Sequence, residues 1–256
     1  MDKKIIDKEG NSVEPLVIGE NTFTANPRML FDMKKVLYDK TWLSTAKNSL
    51  IYFFFRNIFL SEKDKETMEK FEIRYDVTII RPTSLGQEFP KTFGHYHLAK
   101  PGTNLGYPEI YEVLSGNAIF FMQKKEKGRI VDTVAVRASA GERVIFPPNY
   151  GHLAMNTSNK ILKLANWDCS KVETEYDTIG NMGGGTYFFL NNGNIIENKN
   201  YIKIPELRTI DAKNLMCNKI LGKIIPKDQD MYDLIRMPEI LRFLTYPEEG
   251  SIMFEI

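Results

Sequence analysis

The sequence predicts an all-β barrel with helical extensions at both ends. From Phe71 onward, short segments rich in β-branched and aromatic residues recur, separated by Gly, Pro and Asn, as strands and turns are in antiparallel folds. Aromatic residues make up 12% of the chain, which suits the interior of a β-sheet. These two observations are typical of a sandwich or barrel built from antiparallel strands.

Before the barrel, the chain has a different character. Residues 27–40 predict a helix, because Pro27 can occupy a first turn and the apolar residues that follow recur at helical spacing. Residues 42–60 fit a helix or a strand, and the Phe-rich part fits either a buried strand or an edge that pairs with a second subunit. Residues 61–70 are highly charged and predict a solvated surface segment.

The chain divides into three predicted parts. Residues 1–70 form an N-terminal extension that packs on the barrel, residues 71–190 form the barrel with its site, and residues 191–256 form a C-terminal extension of unknown role. Within that extension, residues 211–221 and 238–244 have helical patterns. The strand candidates of the barrel are EIRYDVTII, EIYEVL, NAIFFMQ, RIVDTVAV, RVIFP, HLAMNTS, KILKLANW and TYFFL, with a hairpin tip at KKEKGR.

Composition excludes several classes of partner. With 34 basic and 33 acidic residues the net charge is +1, which argues against nucleic acid or an anionic membrane as the main partner. The N-terminal residues lack the apolar core of a secretory signal. The longest apolar run ends at Arg56, far short of the about 20 residues of a membrane span. Cys169 and Cys217 form no CxxC pair, so we expect a cytoplasmic protein with reduced thiols.

The three histidines of the chain predict a metal site. His95 and His97 are two positions apart, so on a strand their side chains share one face. His152 lies downstream in GERVIFPPNYGH, and Glu109 opens the next strand candidate. Imidazole nitrogens and a carboxylate oxygen suit divalent iron, zinc, nickel or manganese. Glu112, on the opposite face of that strand, is the alternative carboxylate.

The spacing of these residues resembles the two motifs of the cupin family. In cupins, three or four residues usually separate the second histidine of the first motif from its glutamate, whereas eleven residues separate His97 from Glu109. In the second motif, Asn149 stands where a glycine is common. The resemblance implies a cupin double-stranded β-helix, a jelly-roll barrel. The first motif reads Gly94-His95-Tyr96-His97, Glu109 and Gly116, and the second reads Gly141, Pro147, His152 and Asn156.

More specifically, the chain resembles the cupin-type glucose-6-phosphate isomerases of archaea and some bacteria. The resemblance covers about residues 27–190 and depends on KTFGHYH, PEIYEVLSG and IFPPNYGHLAMN. It implies interconversion of glucose 6-phosphate and fructose 6-phosphate in glycolysis and gluconeogenesis. It also implies one divalent metal per subunit, Fe2+ in first place with Mn2+, Ni2+ or Zn2+ as alternatives, and a homodimer. The apolar segment at residues 51–60 also favours a dimer, if it is an exposed edge.

The resemblance also assigns roles to residues. Thr174-Glu175-Tyr176 keeps the tyrosine of a His-x-Tyr that several members carry, but not the histidine, so Glu175 or a water would have to substitute. Lys100 is a candidate for steering an anionic substrate. The implied metal ligands are His95, His97, Glu109 and His152; the phosphate contacts are Thr78, Thr92 and Gly94; the catalytic residues are Glu109, Tyr111 and Tyr176.

Two questions stay open at the level of sequence. The hydrogen can move between C2 and C1 through an enediol formed by a carboxylate base, or by direct transfer between the two carbons. The function also has two alternatives of other classes: a metal-dependent cupin dioxygenase, and a non-catalytic sugar-binding cupin. Oxygen consumption would identify the first alternative, and modules of the second class often lack part of the metal set.

Overall fold

The computed structural model describes residues 13–223, 229–250 and 254. The remaining residues of the two predicted extensions lie outside this description. The strands and helices, in chain order, are β1 (Leu16–Ile18), β2 (Asn21–Phe23), β3 (Asn26–Met29), α1 (Lys40–Leu43), β4 (Leu50–Phe55), α2 (Glu62–Phe71), β5 (Ile73–Ile80), β6 (Tyr96–His97), β7 (Glu109–Ser115), β8 (Asn117–Glu126), β9 (Arg129–Ser139), β10 (Arg143–Phe146), β11 (Tyr150–Asn156), β12 (Leu162–Cys169), β13 (Thr174–Glu175), α3 (Asp177–Asn181), β14 (Tyr187–Phe189), β15 (Ile195–Glu197), β16 (Arg208–Asp211), α4 (Met216–Leu221) and α5 (Arg242–Thr245). Short 3-10 helices span Leu30–Val36, Ala212–Asn214, Met231–Arg236, Pro238–Leu241 and Pro247–Glu249.

Two facing sheets form the barrel. The larger sheet has the order β10-β7-β12-β5-β4-β3 and the smaller β11-β8-β9-β16. Neighbours are antiparallel, except that β16 runs parallel to β9. The sheets meet through aromatic rings: the Phe120 centroid lies 5.5 Å from that of Phe146 and 5.6 Å from that of Tyr111. This is the all-β cupin barrel that the sequence predicts, and strands β3 and β4 of the predicted N-terminal extension are part of its larger sheet.

The register of the larger sheet aligns polar side chains on its inner face. Tyr111 on β7 is opposite Asn166 on β12, and Asn166 is opposite Asp76 on β5. Glu109 is opposite Phe146 on β10, and Thr78 on β5 is opposite Phe54 on β4. Because side chains alternate between faces, each strand presents every second residue to the space between the sheets.

The Phe-rich segment is an interior strand, so one of its two predicted environments is wrong. Strand β4 pairs with β3 on one side and β5 on the other, and Phe53 and Phe55 are fully buried. Its backbone groups and its apolar side chains are therefore satisfied within the chain. The expectation that this segment needs a second subunit to cover an exposed edge loses its basis.

The predicted N-terminal helix is wrong in type. Pro27 lies in strand β3, which is at the end of the larger sheet, where a residue without an N–H is tolerated. A 3-10 helix, Leu30–Val36, follows, and it buries Leu30, Met33 and Val36 as the apolar stripe predicts. The charged segment at 61–70 is a surface helix, α2, which begins where Ser61 accepts a hydrogen bond from Asp64 N.

The C-terminal segment covers the outer face of the larger sheet. It is helical where the sequence predicts it, in Ala212–Asn214 with α4 and in Pro238–Leu241 with α5. Trp167 Nε1 on β12 donates to the Met231 carbonyl oxygen at 3.0 Å, and Tyr75 on β5 donates to Asp230 at 2.9 Å. The segment therefore shields one side of the barrel, opposite the cavity.

Among the described helices, none is both long and apolar enough to cross a membrane.

Candidate metal centre and substrate cavity

The three histidines and Glu109 come together between the two sheets. His95, just before β6, exchanges two backbone hydrogen bonds with His152 on β11, at 3.1 and 2.9 Å. His97 ends β6 and Glu109 begins β7. One potential ligand atom from each of the four residues lies within 4.8 Å of the others. The two sequence motifs thus meet at one point, although His95 and His152 are 57 residues apart in the chain.

Backbone hydrogen bonds orient two of the imidazole rings. His97 Nδ1 donates to the Tyr107 carbonyl oxygen at 2.8 Å, and His152 Nδ1 donates to the Tyr150 carbonyl oxygen at 3.3 Å. Because a carbonyl can only accept, each Nδ1 carries a proton, and the neutral ring presents a bare lone pair at Nε2. This arrangement is the usual second sphere of a metal-bound histidine.

The loop at residues 98–108 supplies one of these carbonyls. It corresponds to the eleven-residue gap between His97 and Glu109 that departs from the usual cupin spacing. Tyr107, near its end, accepts the bond from His97. The loop in this long gap therefore contributes to the orientation of His97.

Two buried atoms at the centre of the cluster have no hydrogen-bond partner among the described residues: Glu109 Oε2 and His152 Nε2. They are 3.1 Å apart, and His97 Nε2 is 3.6 Å from the same carboxylate oxygen. Lone pairs that face each other in a buried site are unfavourable unless a cation lies between them. The donor set of three imidazoles and one carboxylate therefore fits a divalent metal ion.

The pKa values of these side chains favour the deprotonated state in which they can bind a metal. Burial lowers the pKa of His97 to about 4, and burial with the neighbouring histidines lowers the pKa of His95 well below 6.5. Burial alone would raise the pKa of Glu109, but His152, His97 and Arg74 outweigh it, so the net shift is downward. At neutral pH the rings of His95 and His97 are neutral and the carboxylate is ionised, as metal ligands require.

Glu112, the alternative carboxylate, lies on the other face of β7. Its Oε1 accepts from Arg143 Nε at 2.9 Å and its Oε2 from Met231 N at 2.7 Å. Both oxygens are engaged, away from the histidines. The structure therefore places Glu109, rather than Glu112, in the cluster.

A cavity extends from this cluster between the sheets. Tyr176 lies close to the cluster, with its ring centroid 5.4 Å from that of His95. Several residues that sequence analysis assigns to substrate or catalysis line the cavity. They are Thr78, Thr92, Gly94, Tyr111 and Tyr176, next to His95, Glu109 and His152.

Gly94 is required by its backbone and by its neighbours. Its φ is +87°, in the region that L side chains rarely adopt. A Cβ would lie 3.2 Å from Ile179 Cδ1 and 3.3 Å from Leu153 Cβ. A glycine here lets the chain pass close to Ile179 and Leu153 immediately before His95.

Lys100 does not line the cavity. Its ammonium group donates to Glu248 Oε1 at 2.8 Å and lies 4.4 Å from the centroid of the Tyr246 ring. The C-terminal segment supplies both partners. Lys100 therefore ties the loop at 98–108 to that segment, and the structure gives no support to its predicted contact with substrate.

Thr174 occupies the cavity-facing position of the His-x-Tyr site, and Glu175 does not. Strand β13 pairs with β6, so Thr174 lines the cavity with Tyr176. Glu175 Oε1 instead accepts from Thr178 N at 2.8 Å, at the start of α3. Glu175 and a water are the two predicted substitutes for the missing histidine. Glu175 is already engaged in a hydrogen bond at the start of α3, away from the cavity.

The same cavity contains a row of charged and polar side chains that the sequence motifs did not indicate. Their signal was present, because polar residues recur at every second position of two otherwise apolar strands. Arg74 and Asp76 precede Thr78 on β5, and Asn166 and Asp168 lie on β12. Asn166 Nδ2 donates to Glu109 Oε1 at 2.6 Å and so orients the carboxylate.

A further cation lies beside the cavity. Arg28 on β3 is opposite Tyr52 on β4, and its guanidinium interacts with the hydroxyl groups of Tyr52 and Tyr176. Both tyrosines line the cavity. The Arg28 guanidinium, which stays charged at any ordinary pH, therefore lies next to residues of the cavity wall.

Among solved structures, the 7S globulin of Momordica charantia matches with a TM-score of 0.37 and 11% identity, over 59% of this chain and 34% of that chain. Oxalate decarboxylase from Bacillus subtilis matches with a TM-score of 0.31 and 17% identity, over 46% and 25%. The chain thus spans about a third or less of these solved chains, and the fold assignment depends on the strand topology.

Known sequences agree on the family. The profile described as glucose-6-phosphate isomerase (GPI) matches residues 28–206. A glucose-6-phosphate isomerase of Thermococcus litoralis is 24% identical over 177 residues, 68% of this chain and 84% of that protein. One of Pyrococcus abyssi (strain GE5 / Orsay) is 25% identical over 171 residues, 66% of this chain and 82% of that protein. The chain therefore belongs to the glucose-6-phosphate isomerase family, as an enzyme built on the cupin barrel.

Proposed function

We propose that this enzyme is a metal-dependent aldose–ketose isomerase that interconverts glucose 6-phosphate and fructose 6-phosphate in glycolysis and gluconeogenesis. The observation that carries the metal dependence is the convergence of His95, His97, Glu109 and His152, where two buried ligand atoms have no hydrogen-bond partner among the described residues. The relatives named glucose-6-phosphate isomerase support the substrate.

These four residues would hold one divalent ion, Fe2+ in first place with Mn2+, Ni2+ or Zn2+ as alternatives. When bound, such an ion supplies Lewis acidity that polarises the oxygens at C1 and C2 of the open-chain sugar. Three neutral imidazoles and one carboxylate leave the centre with a net charge near +1.

Glu109 is the proposed base for proton transfer. One of its oxygens is held by Asn166 at 2.6 Å, so the other faces the histidines and the cavity. The hydrogen can move through an enediol, with Glu109 taking the C2 proton and returning it to C1, or directly between the carbons. The enediol route requires an ionised carboxylate as base, which the lowered pKa of Glu109 favours; in the direct route Glu109 serves as a metal ligand only.

Tyr111 and Tyr176 are proposed as hydroxyl donors to the sugar. Burial, with a contribution from Glu109, raises the pKa of Tyr111 well above its usual value, so its hydroxyl keeps its proton. Tyr176 lies against His95. Both line the cavity beside the metal cluster, where the reacting carbons have to lie.

The phosphate is proposed to bind where Thr78, Thr92 and Gly94 line the cavity. Two hydroxyl groups and a glycine backbone can approach phosphate oxygens closely and donate to them. Arg28, beside Tyr52 and Tyr176, adds a cation that favours the phosphate dianion. This assignment replaces Lys100 as the source of positive charge.

We also propose a cytoplasmic homodimer. The dimer is implied by the family resemblance, since strand β4, the apolar segment thought to need a partner, is covered within the chain. Light scattering at micromolar concentration is the measurement, and a monomer there would refute the dimer. Two buried, free cysteines fit a reducing compartment.

A coupled assay tests the function. Fructose 6-phosphate is supplied, and glucose 6-phosphate is detected through its dehydrogenase, before and after chelation and after return of each metal. We expect activity that chelation removes and a metal restores. A protein that stays inactive with every metal but consumes oxygen would be an oxygenase instead. Full activity after exhaustive chelation would refute the metal dependence.

A further inference from the structure

Asp168 is a buried carboxylate with one unused oxygen in the cavity. The residue is 1% exposed and lines the cavity beside Glu109 and Asn166. Its Oδ2 accepts from Arg74 Nη2 at 2.7 Å. Its Oδ1 has no hydrogen-bond partner in the part of the chain that the structure describes. An unpaired buried carboxylate oxygen is unfavourable, so a bound molecule that supplies a partner gains affinity.

Asp76 provides a contrast within the same row. It is also nearly buried, at 4% exposure, and it contacts the same arginine, since Arg74 Nε donates to its Oδ2 at 3.2 Å. Arg56 Nη1 donates to that oxygen at 3.0 Å, and Asn57 N donates to Oδ1 at 2.8 Å. Both oxygens of Asp76 are engaged, so its role is structural, whereas Asp168 keeps one oxygen for a ligand.

The position of Asp168 indicates which part of a ligand it meets. Leu164 on β12 is opposite Thr78, and Asp168, four residues further along, is opposite Arg74. Four strand residues span about 13 Å. Asp168 therefore lies far along the sheet from Thr78 and lines the cavity beside Glu109 of the metal cluster, where the end of the sugar remote from the phosphate would lie.

We propose that Asp168 Oδ1 is a binding site for a hydroxyl group at the end of a polyol phosphate remote from the phosphate, positioned by Arg74. This inference rests on the proposed function for the orientation of the ligand. A hydroxyl group both donates and accepts, so it satisfies this oxygen whether the carboxyl group is ionised or protonated. The site distinguishes ligands by the presence of that hydroxyl.

The test measures binding, not turnover. Isothermal titration calorimetry of the metal-loaded protein compares glucitol 6-phosphate, which lacks the carbonyl needed for isomerisation, with its 1-deoxy and 2-deoxy analogues and with inorganic phosphate. We expect the parent to bind glucitol 6-phosphate about tenfold to a hundredfold more tightly than one of the two deoxy analogues. Asp168→Ala should abolish that difference while leaving affinity for inorganic phosphate unchanged.

Asp76→Ala is the matched control. It removes an equally buried carboxylate from the same arginine, so we expect a lower unfolding temperature but an intact preference for the hydroxylated ligand. In Asp168→Ala, Arg74 keeps its contact with Asp76, which limits the structural damage. Thermal unfolding and metal content of each variant show that the binding measurements are made on folded, loaded protein.

Several outcomes would overturn the inference. Equal affinity of the parent for all three polyol phosphates does so without any variant, and so does an unchanged preference in Asp168→Ala. A preference that depends on Asp168 in a protein inactive in the coupled assay supports the site and refutes the isomerase. An active isomerase whose Asp168→Ala variant binds like the parent refutes the site alone.

Discussion

Two glutamates on strand β7 have opposite fates. Glu109 and Glu112 are three residues apart, and they are 3% and 2% exposed. They point to opposite faces of the larger sheet, Glu109 into the cavity and Glu112 toward the C-terminal segment. Burial, residue type and strand are the same, so the two glutamates differ in the face on which they lie and in the partners that they meet there.

Those partners separate a site residue from a structural one. Arg143 and Met231 N occupy both oxygens of Glu112, while Glu109 keeps Oε2 without a donor among the described residues. Burial raises the pKa of Glu112, whereas the histidines and Arg74 lower that of Glu109 against the effect of burial. A buried carboxylate with an unused oxygen therefore indicates a ligand more strongly than burial or charge alone.

The largest expected effect comes from the cavity face. Glu109→Gln keeps a weakly ligating amide oxygen but removes the base, so turnover should fall at least about a hundredfold. If Glu109 is mainly a base, metal content measured by mass spectrometry persists; if it is mainly a ligand, content falls as well. His152→Ala should lower both together. If Glu112→Gln removed metal and Glu109→Gln did not, the assignment of faces would be wrong.

The outer face should respond in stability rather than chemistry. Glu112→Ala breaks a buried ion pair with Arg143 and a bond to Met231 N, which should cost about 3–5 kcal/mol of unfolding free energy. Urea unfolding of the metal-free protein measures it. Metal binding per folded molecule should match that of the parent. If Glu112→Ala lowers the unfolding free energy by less than about 1 kcal/mol, as the loss of an exposed ion pair does, Glu112 does not have the structural role assigned to it.

Within the cavity, Thr78 tests the end away from the metal. Thr78→Val removes one hydroxyl and should weaken binding of 5-phosphoarabinonate by about 1.5–3 kcal/mol, or about one to two powers of ten. Thr92→Val should act similarly, and its hydroxyl also accepts from Ala154 N at 3.0 Å. Thr78→Ser, which keeps the hydroxyl, is the control and should bind nearly as the parent does. Unchanged affinity in both valine variants would place the phosphate elsewhere.

The smallest effect is expected from Lys100, which lies outside the cavity. The Lys100 and Glu248 side chains are 19% and 48% exposed, and ion pairs this open to water contribute little to stability. Lys100→Ala should therefore change unfolding only slightly, and KM for fructose 6-phosphate should stay close to the parent value. Lys100→Arg, which retains the charge, is the control. A tenfold rise in KM in Lys100→Ala alone would restore its predicted role in steering substrate.

Much of the candidate site could be predicted from the sequence because it depends on local spacing. His95 and His97 share a face by strand alternation, as do Glu109 and Tyr111. The environment of β4 could not be predicted, because nothing local shows that β3, with a proline at its second position, lies beside it. The polar periodicity that includes Arg74 and Asp168 is visible in the sequence, but their contact is not, since they are 94 residues apart and meet only through the pairing of β5 with β12.

The sequence by itself determined the strand periodicity, the barrel and the residues that can bind a metal, because each follows from contacts near in the chain or from motif spacing. The tertiary structure alone decided which buried carboxylates are satisfied. Hydrogen bonds to Glu112 come from residues distant in sequence, and Asp76 receives them from Arg56 and Asn57 as well as from nearby Arg74, whereas one oxygen of Glu109 and one of Asp168 receive none from the described residues. Satisfaction of a polar group depends on everything packed around it, so no local pattern encodes it.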